Sequence, residues 1–81
     1  MDLKTYFKEK HSTQQNVAAE LGVSQGLVSH WTVGREKVTP EKVLPLYFIT
    51  GCRVTPHEAR PDLYPDPAWV PDAEMRKAAT A

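Results

Sequence analysis

From Leu3 to Ile49 the apolar side chains recur every three or four residues, in short runs separated by glycine, proline and small polar residues, which is the pattern of several short amphipathic helices. Asp2 is placed to cap a first helix in which Leu3, Tyr6 and Phe7 form one stripe and the lysines face outward, running to about Lys10. A second start signal follows. Ser12 and Gln15 have capping-box spacing, with Thr13 as the rival cap, and Val17, Ala18 and Leu21 are the buried side of the helix that results. Gly22 is suited to the left-handed conformation that ends a helix, and Ser24 to capping the next one. Val23 and Val28 then stand at hydrophobic-staple spacing, Trp31 falls one turn later, and Gly34 stops the helix.

Thr39 and Pro40 predict another start, with threonine as cap and proline at the first helical position. Val43, Leu44, Leu46, Tyr47, Phe48 and Ile49 make this helix apolar on nearly all sides, which suits either a central core helix or one that lends its surplus to a dimer contact. Pro45 lies inside it and should kink it or tighten its first turns. Gly51 closes it, beside a half-buried Cys52. Thr55, Pro56 and Glu58 form a further capping box, and Arg60-Pro61 ends that helix after about one turn. A β-hairpin over Val38 to Val54 fits worse, because Pro40 and Pro45 would sit inside it. The expectation is an all-α bundle of four to five short helices.

Five of the seven prolines fall in the last third. The packed domain is therefore expected over residues 1–64. Residues 65–81 form a proline-rich tail, in which Pro65 to Pro71 lies on the surface or free in solvent and Asp72 to Ala81 frays into a turn or two. Trp69 either covers a groove of its own domain or meets a partner.

The segment Gln14 to Val33 carries the candidate chemistry. A helix, a glycine turn and a second helix make a helix-turn-helix, with Ala18 small where the helices cross and Val17, Leu21, Val23, Val28 and Trp31 locking them together. This geometry holds the second helix proud of the domain, so that its outer face can enter a DNA major groove. With Val28 and Trp31 inside, that face presents Gln25, Gly26, Ser29, His30 and Thr32. Gln25 can pair bidentately with adenine, Ser29 suits several base edges, and Gly26 permits close approach. His30 serves either base or phosphate. Thr13, Gln14, Gln15, Ser24 and Thr32 are the candidates for backbone contacts, with Arg35 and Lys37 supplying positive charge.

Charge first argues against this reading. Ten Lys/Arg balance ten Asp/Glu over 81 residues. The balance is uneven along the chain, however: residues 1–53 carry seven bases against five acids and residues 54–81 three against five. A mildly basic reading domain thus precedes an acidic extension, which implies few phosphate contacts per monomer and dependence on pairing two subunits. A chain this short is marginally stabilised by its own core, which also favours a homodimer. Leu46, Tyr47, Ile49 and Trp69 are the candidate dimer contacts.

The same arithmetic excludes other classes. One cysteine leaves no intramolecular disulfide and no paired-cysteine zinc site. His11, His30 and His57 lack metal-ligand spacing, so neither a metal nor another cofactor is expected. Neighbours on a helix point about 100° apart, so Ser29 and His30 are no nucleophile–base pair, and no enzyme is expected. With no signal peptide at Met1-Asp2-Leu3-Lys4 and no membrane-length apolar run, the expected location is the cytoplasm.

The stretch SQGLVSHW, a short basic loop and the run TPEKVLPLYFITGCRVTPHEARPDLYP resemble the Cro-like phage repressors and the YdaS-type antitoxins, over Met1 to about Pro65. ARPDLYP is the most distinctive part. The resemblance implies a lambda-repressor-like, all-helical domain that binds palindromic operator DNA as a dimer and represses transcription. Gln14, Ser24, Gln25, Gly26, Ser29 and His30 match the positions that typically touch DNA. Glu36 inside the basic loop and the extension past Pro65 depart from the pattern. An antitoxin-like autoregulator, and a protein-interaction module that binds a protein through its apolar helix or tail, are the competing roles.

Overall fold

The computed structural model describes residues 1–71, in which five short helices pack around one core. They are α1 (Leu3–Lys8), α2 (Gln14–Leu21), α3 (Gln25–Val33), α4 (Val43–Ile49) and α5 (Pro56–Ala59), with a single 3-10 turn at Pro40–Lys42 leading into α4. No strand occurs among the described residues. The expectation for Asp72 to Ala81 lies outside them.

Local chemistry sets most of the boundaries. Asp2 accepts the Thr5 N–H at 2.7 Å, Thr13 that of Asn16 at 3.1 Å, Ser24 that of Leu27 at 3.1 Å and Thr55 that of Glu58 at 3.2 Å. Each side chain thereby satisfies one of the donors that a helix start leaves without a partner. Between the two candidate caps of α2, Thr13 is the one used. The first helix ends at Lys8, earlier than its stripe suggests, and Lys10 turns the chain with a positive φ.

The start of α4 differs from expectation. Thr39 makes no side-chain capping bond, and the α-helical hydrogen bonds begin only after Lys42. Pro45 accounts for this. A continuous helix from Pro40 would need its nitrogen to donate to the Glu41 carbonyl, and the proline ring would collide there. The chain instead runs as a 3-10 turn and restarts at Val43, which places Pro45 at the third helical position, where a missing N–H costs little.

Leu46 and Val43 are fully enclosed, and α4 packs against α2, α5 and the 3-10 turn. Its inner side, Val43 and Leu46, is therefore part of the core. Leu46 and Tyr47, expected as dimer contacts, are buried inside the monomer, and Ile49 is half-buried against the same core. For Leu46 and Tyr47 that expectation is corrected, whereas Leu44, Pro45, Phe48 and Ile49 of the same helix are only half-buried.

Two polar groups complete the packing. Thr50 is 1% exposed. Its hydroxyl donates to the Leu46 carbonyl at 2.8 Å, with that of Tyr47 also in reach at 3.0 Å, and accepts the Val54 N–H at 3.2 Å. It thus ties the end of α4 to the turn before α5. Lys42 donates to the Leu21 carbonyl at 3.0 Å, placing a cation at the C-terminus of α2. Trp31 is buried, and its indole N–H is without a hydrogen-bond partner among the described residues.

Past Tyr64 the chain is exposed from Pro65 to Ala68 and at Val70, and is covered at two positions. Trp69 stacks on Tyr64 with ring centroids 5.3 Å apart, and Pro71 is buried. Trp69 thus lies over a ring of its own chain and is half-exposed. Cys52 is exposed rather than half-buried and holds a positive φ directly after Gly51. Interaction with the Cys52 side chain, together with burial, pushes the Tyr47 phenol above its ordinary range.

Candidate nucleic-acid interface

The turn between α2 and α3 is closed by the backbone. Gly22 adopts φ +70°, its N–H donates to the Ala19 carbonyl at 3.3 Å and the next N–H, of Val23, to the Ala18 carbonyl at 3.0 Å. This paired closure is a Schellman motif, and a Cβ at Gly22 would meet backbone strain although the space around it is open. Val23 turns back onto the core, and Ser24 caps α3 two residues later. The same motif ends α3: Gly34, at φ +81°, donates to Trp31 at 3.3 Å, and Arg35 donates to His30 at 2.9 Å. The Ser24 cap thus fixes the start of α3 and backbone bonds its end.

Val28 and Trp31 anchor the inner side of α3. At 3.6 residues per turn, Gln25, Gly26, Ser29, His30 and Val33 then fall on the outer side. Gln25 and Gly26 are exposed, and Ser29 and His30 are half-buried. None of the three polar side chains has a hydrogen-bond partner among the described residues. A Cβ at Gly26 would meet only the Ser24 hydroxyl, at 4.0 Å, so the fold itself does not require glycine there.

Thr32 is the exception to the expected set. It lies towards the inner side, half-buried, and its hydroxyl donates to the Val28 carbonyl at 2.8 Å. Val33, which sequence reading left out, occupies the outer face instead and is 66% exposed. A valine beside Trp31 reads as core by composition; only the helical register, counted from Gly26 and Ser29, places it outside.

The backbone candidates divide in two. Thr13 and Ser24 already use their hydroxyl oxygens as acceptors for helix caps, which leaves each hydroxyl proton free to donate outward. Gln14 is half-buried and Gln15 exposed at the start of α2. Arg35 and Lys37 stand exposed in the loop after α3. Arg35 makes no ion pair among the described residues, whereas Lys37 lies 3.7 Å from Asp62.

Asp62 belongs to the ARPDLYP segment and is held chiefly by Arg60. The guanidinium Nε and Nη2 donate to its two carboxylate oxygens at 2.9 and 2.8 Å, while Nη1 donates to the Val38 carbonyl at 2.9 Å. This bidentate pair holds the Asp62 carboxyl well below the usual carboxylate range and pushes the guanidinium up. His57 Nδ1 meets the Tyr64 carbonyl at 2.8 Å, closing the other end of the segment.

The family model described as bacterial toxin YdaS matches residues 8–68, from the last residue of α1 to just short of Trp69. The chain belongs to the YdaS family. It is thereby a small protein related to toxin–antitoxin systems. The part shared with YdaS proteins takes in α2, α3, the loop bearing Arg35 and Lys37, and the whole Arg60–Asp62 clamp. Comparison with curated proteins gives no match, and neither does comparison with solved structures. Among the described residues no group of three His, Cys, Asp or Glu is arranged to hold a metal ion, and no helix is long and apolar enough to cross a membrane.

Proposed function

We infer that this YdaS-family protein binds double-stranded operator DNA sequence-specifically and regulates transcription in the manner of a Cro-like phage or prophage repressor. The observation that carries the reading is the outer face of α3. The Ser24 cap and the closure at Gly34 fix the helix at its two ends, and Gln25, Ser29 and His30 on that face hold no side-chain hydrogen bond among the described residues that DNA binding would have to break. Gln25 and Ser29 read base edges in the major groove, Gly26 lets the helix approach closely, and Val33 suits a thymine methyl. Thr13, Gln14, Gln15 and Ser24 reach phosphates from the start of α2 and the turn, and Arg35 and Lys37 from the loop. A short palindromic site occupied by two copies compensates for the few charges on each one. In this reading the protein is a binding protein of the cytoplasm, not an enzyme, and needs no cofactor.

Membership of the YdaS family favours a second role on the same chemistry, autoregulation of a toxin–antitoxin pair. Expression from its own upstream region separates the two roles. The interaction-module reading is less favoured, because Trp69 is committed to Tyr64.

Fluorescence anisotropy with upstream DNA and with random duplex at physiological salt tests the inference. Gln25→Ala should weaken the preferred duplex by about 1–3 kcal/mol and leave random duplex unchanged. Equal affinity of the wild-type protein for both duplexes would refute sequence-specific binding.

A further inference from the structure

Arg35 and Lys37 occupy the six-residue loop between α3 and the 3-10 turn, a stretch that forms no helix of its own. Its first end is fixed where Arg35 and Glu36 both donate to the His30 carbonyl, at 2.9 and 3.4 Å. Its second end, Val38, is 3% exposed, and its carbonyl receives the Arg60 guanidinium at 2.9 Å. The tie spans 22 positions of sequence. Arg60 is itself only 14% exposed and is oriented by two bonds from Asp62, which also faces Lys37 at 3.7 Å.

From this geometry we propose that Arg60 is a positioning residue for the nucleic-acid interface: clamped by Asp62, it holds the Val38 end of the loop so that Arg35 and Lys37 present their charges to the phosphate backbone. The proposal rests on the DNA-binding reading above. Two parallel N–H donors and a third in the same plane but aimed elsewhere make the arrangement specific to arginine, since a lysine ammonium cannot grip a carboxylate bidentately and a backbone carbonyl at once. Arg60 touches no DNA in this account. It acts by restricting the directions from which the two loop cations can meet a phosphate, and a cation held in place gives up less freedom on binding. Asp62 adds a second effect. Facing Lys37, it keeps that ammonium near the clamp until a phosphate competes for it.

The test is a double-mutant cycle read by DNA affinity and by loop order. In the wild-type background Arg35→Ala should lower affinity for all duplexes and reduce the salt slope by about 0.9, the loss of one phosphate contact. In the Arg60→Lys background the same Arg35→Ala change should alter the salt slope by much less, because Arg35 is no longer held in place. Backbone 15N relaxation of the free protein should show Arg35 to Val38 becoming mobile on the nanosecond scale in Arg60→Lys, with α2 and α3 unchanged. Asp62→Asn, which weakens the clamp but leaves the Val38 bond, keeps the test available if Arg60→Lys fails to fold, and should give an intermediate result. An Arg35→Ala effect of equal size in both backgrounds, or a loop as ordered in the variants as in the wild type, would overturn the assignment. Wild-type protein that binds no duplex while Arg60→Lys still loosens the loop would overturn the DNA role of Arg60 together with the function above, and leave Arg60 a structural tie alone.

Discussion

Substituting Gly26 by alanine should move folding stability and DNA affinity in opposite directions. Gly26 is the second residue of α3, has an ordinary negative φ and would place a new Cβ no closer than 4.0 Å to any neighbour outside the backbone of its own helix. Alanine there restricts the unfolded chain and suits the helix, which is worth roughly 0.5–1 kcal/mol. For a domain of this size that is about 2–8 °C in Tm. The added methyl projects from the outer face, one turn before Ser29 and His30, where a helix seated in the groove comes closest to the bases. Loss of that approach should cost about 1–3 kcal/mol, or roughly 5- to 150-fold in Kd. Thermal melting followed by circular dichroism gives the first quantity, and anisotropy titration of the preferred duplex gives the second. A lower Tm would show that glycine serves the fold after all. A higher Tm with unchanged Kd would remove Gly26 from the interface and, with it, the close docking of α3.

Three further outcomes follow from the packing. Thr50→Val keeps the shape of the side chain but leaves the buried Val54 N–H without an acceptor, so urea denaturation should show a loss of about 1–3 kcal/mol; no loss would mean that Val54 finds another partner. Lys42→Met retains the aliphatic stem and removes the ammonium from the Leu21 carbonyl, and chemical denaturation should show a loss of about 1 kcal/mol that shrinks in the wild-type comparison as salt is raised. The folded-state pKa of Asp62 is depressed, so its contribution to stability is complete above the unfolded value of about 3.9 and is lost only as pH falls through the lower folded value. The Tm difference between wild type and Asp62→Asn should accordingly persist at pH 5 and close well below pH 4; closure already by pH 5 would contradict the clamp.

Helix boundaries were legible wherever a single residue makes a bond within its own turn. The hydroxyls of Thr13, Ser24 and Thr55 and the positive φ of Gly22 and Gly34 need only three or four neighbouring residues to act, so sequence spacing is enough to place them. The outer face of α3 was legible for the same reason once Val28 and Trp31 were assigned inside. Thr32 and Val33 were exchanged because composition outweighed register at the end of the helix. What spacing could not reveal are the long-range bonds. Lys42 reaches Leu21 across 21 positions and Arg60 reaches Val38 across 22, and neither pair has a local signature. The distinctive look of ARPDLYP marked the segment, but only its contact with Val38 explains what an arginine and an aspartate two residues apart achieve there. On α4 spacing does not tell inner from outer apolar positions: Leu46 and Tyr47 are buried, whereas Leu44 and Phe48 are half-buried.

The solitary indole N–H of Trp31 makes the molecule its own spectroscopic probe. It sits on the inner side of α3, directly after Ser29 and His30 in the chain, packed in the core and hydrogen-bonded to nothing described. A proton of that kind has a resonance governed by nearby rings and charges rather than by a bonded acceptor. Any tilt or rotation of α3 as it meets a ligand would therefore shift one well-separated indole peak. The second tryptophan, stacked on Tyr64, gives an internal reference on the opposite segment of the chain. Two indole signals can thus separate movement of the reading helix from release of the proline-rich strap, in unmodified protein and without a label.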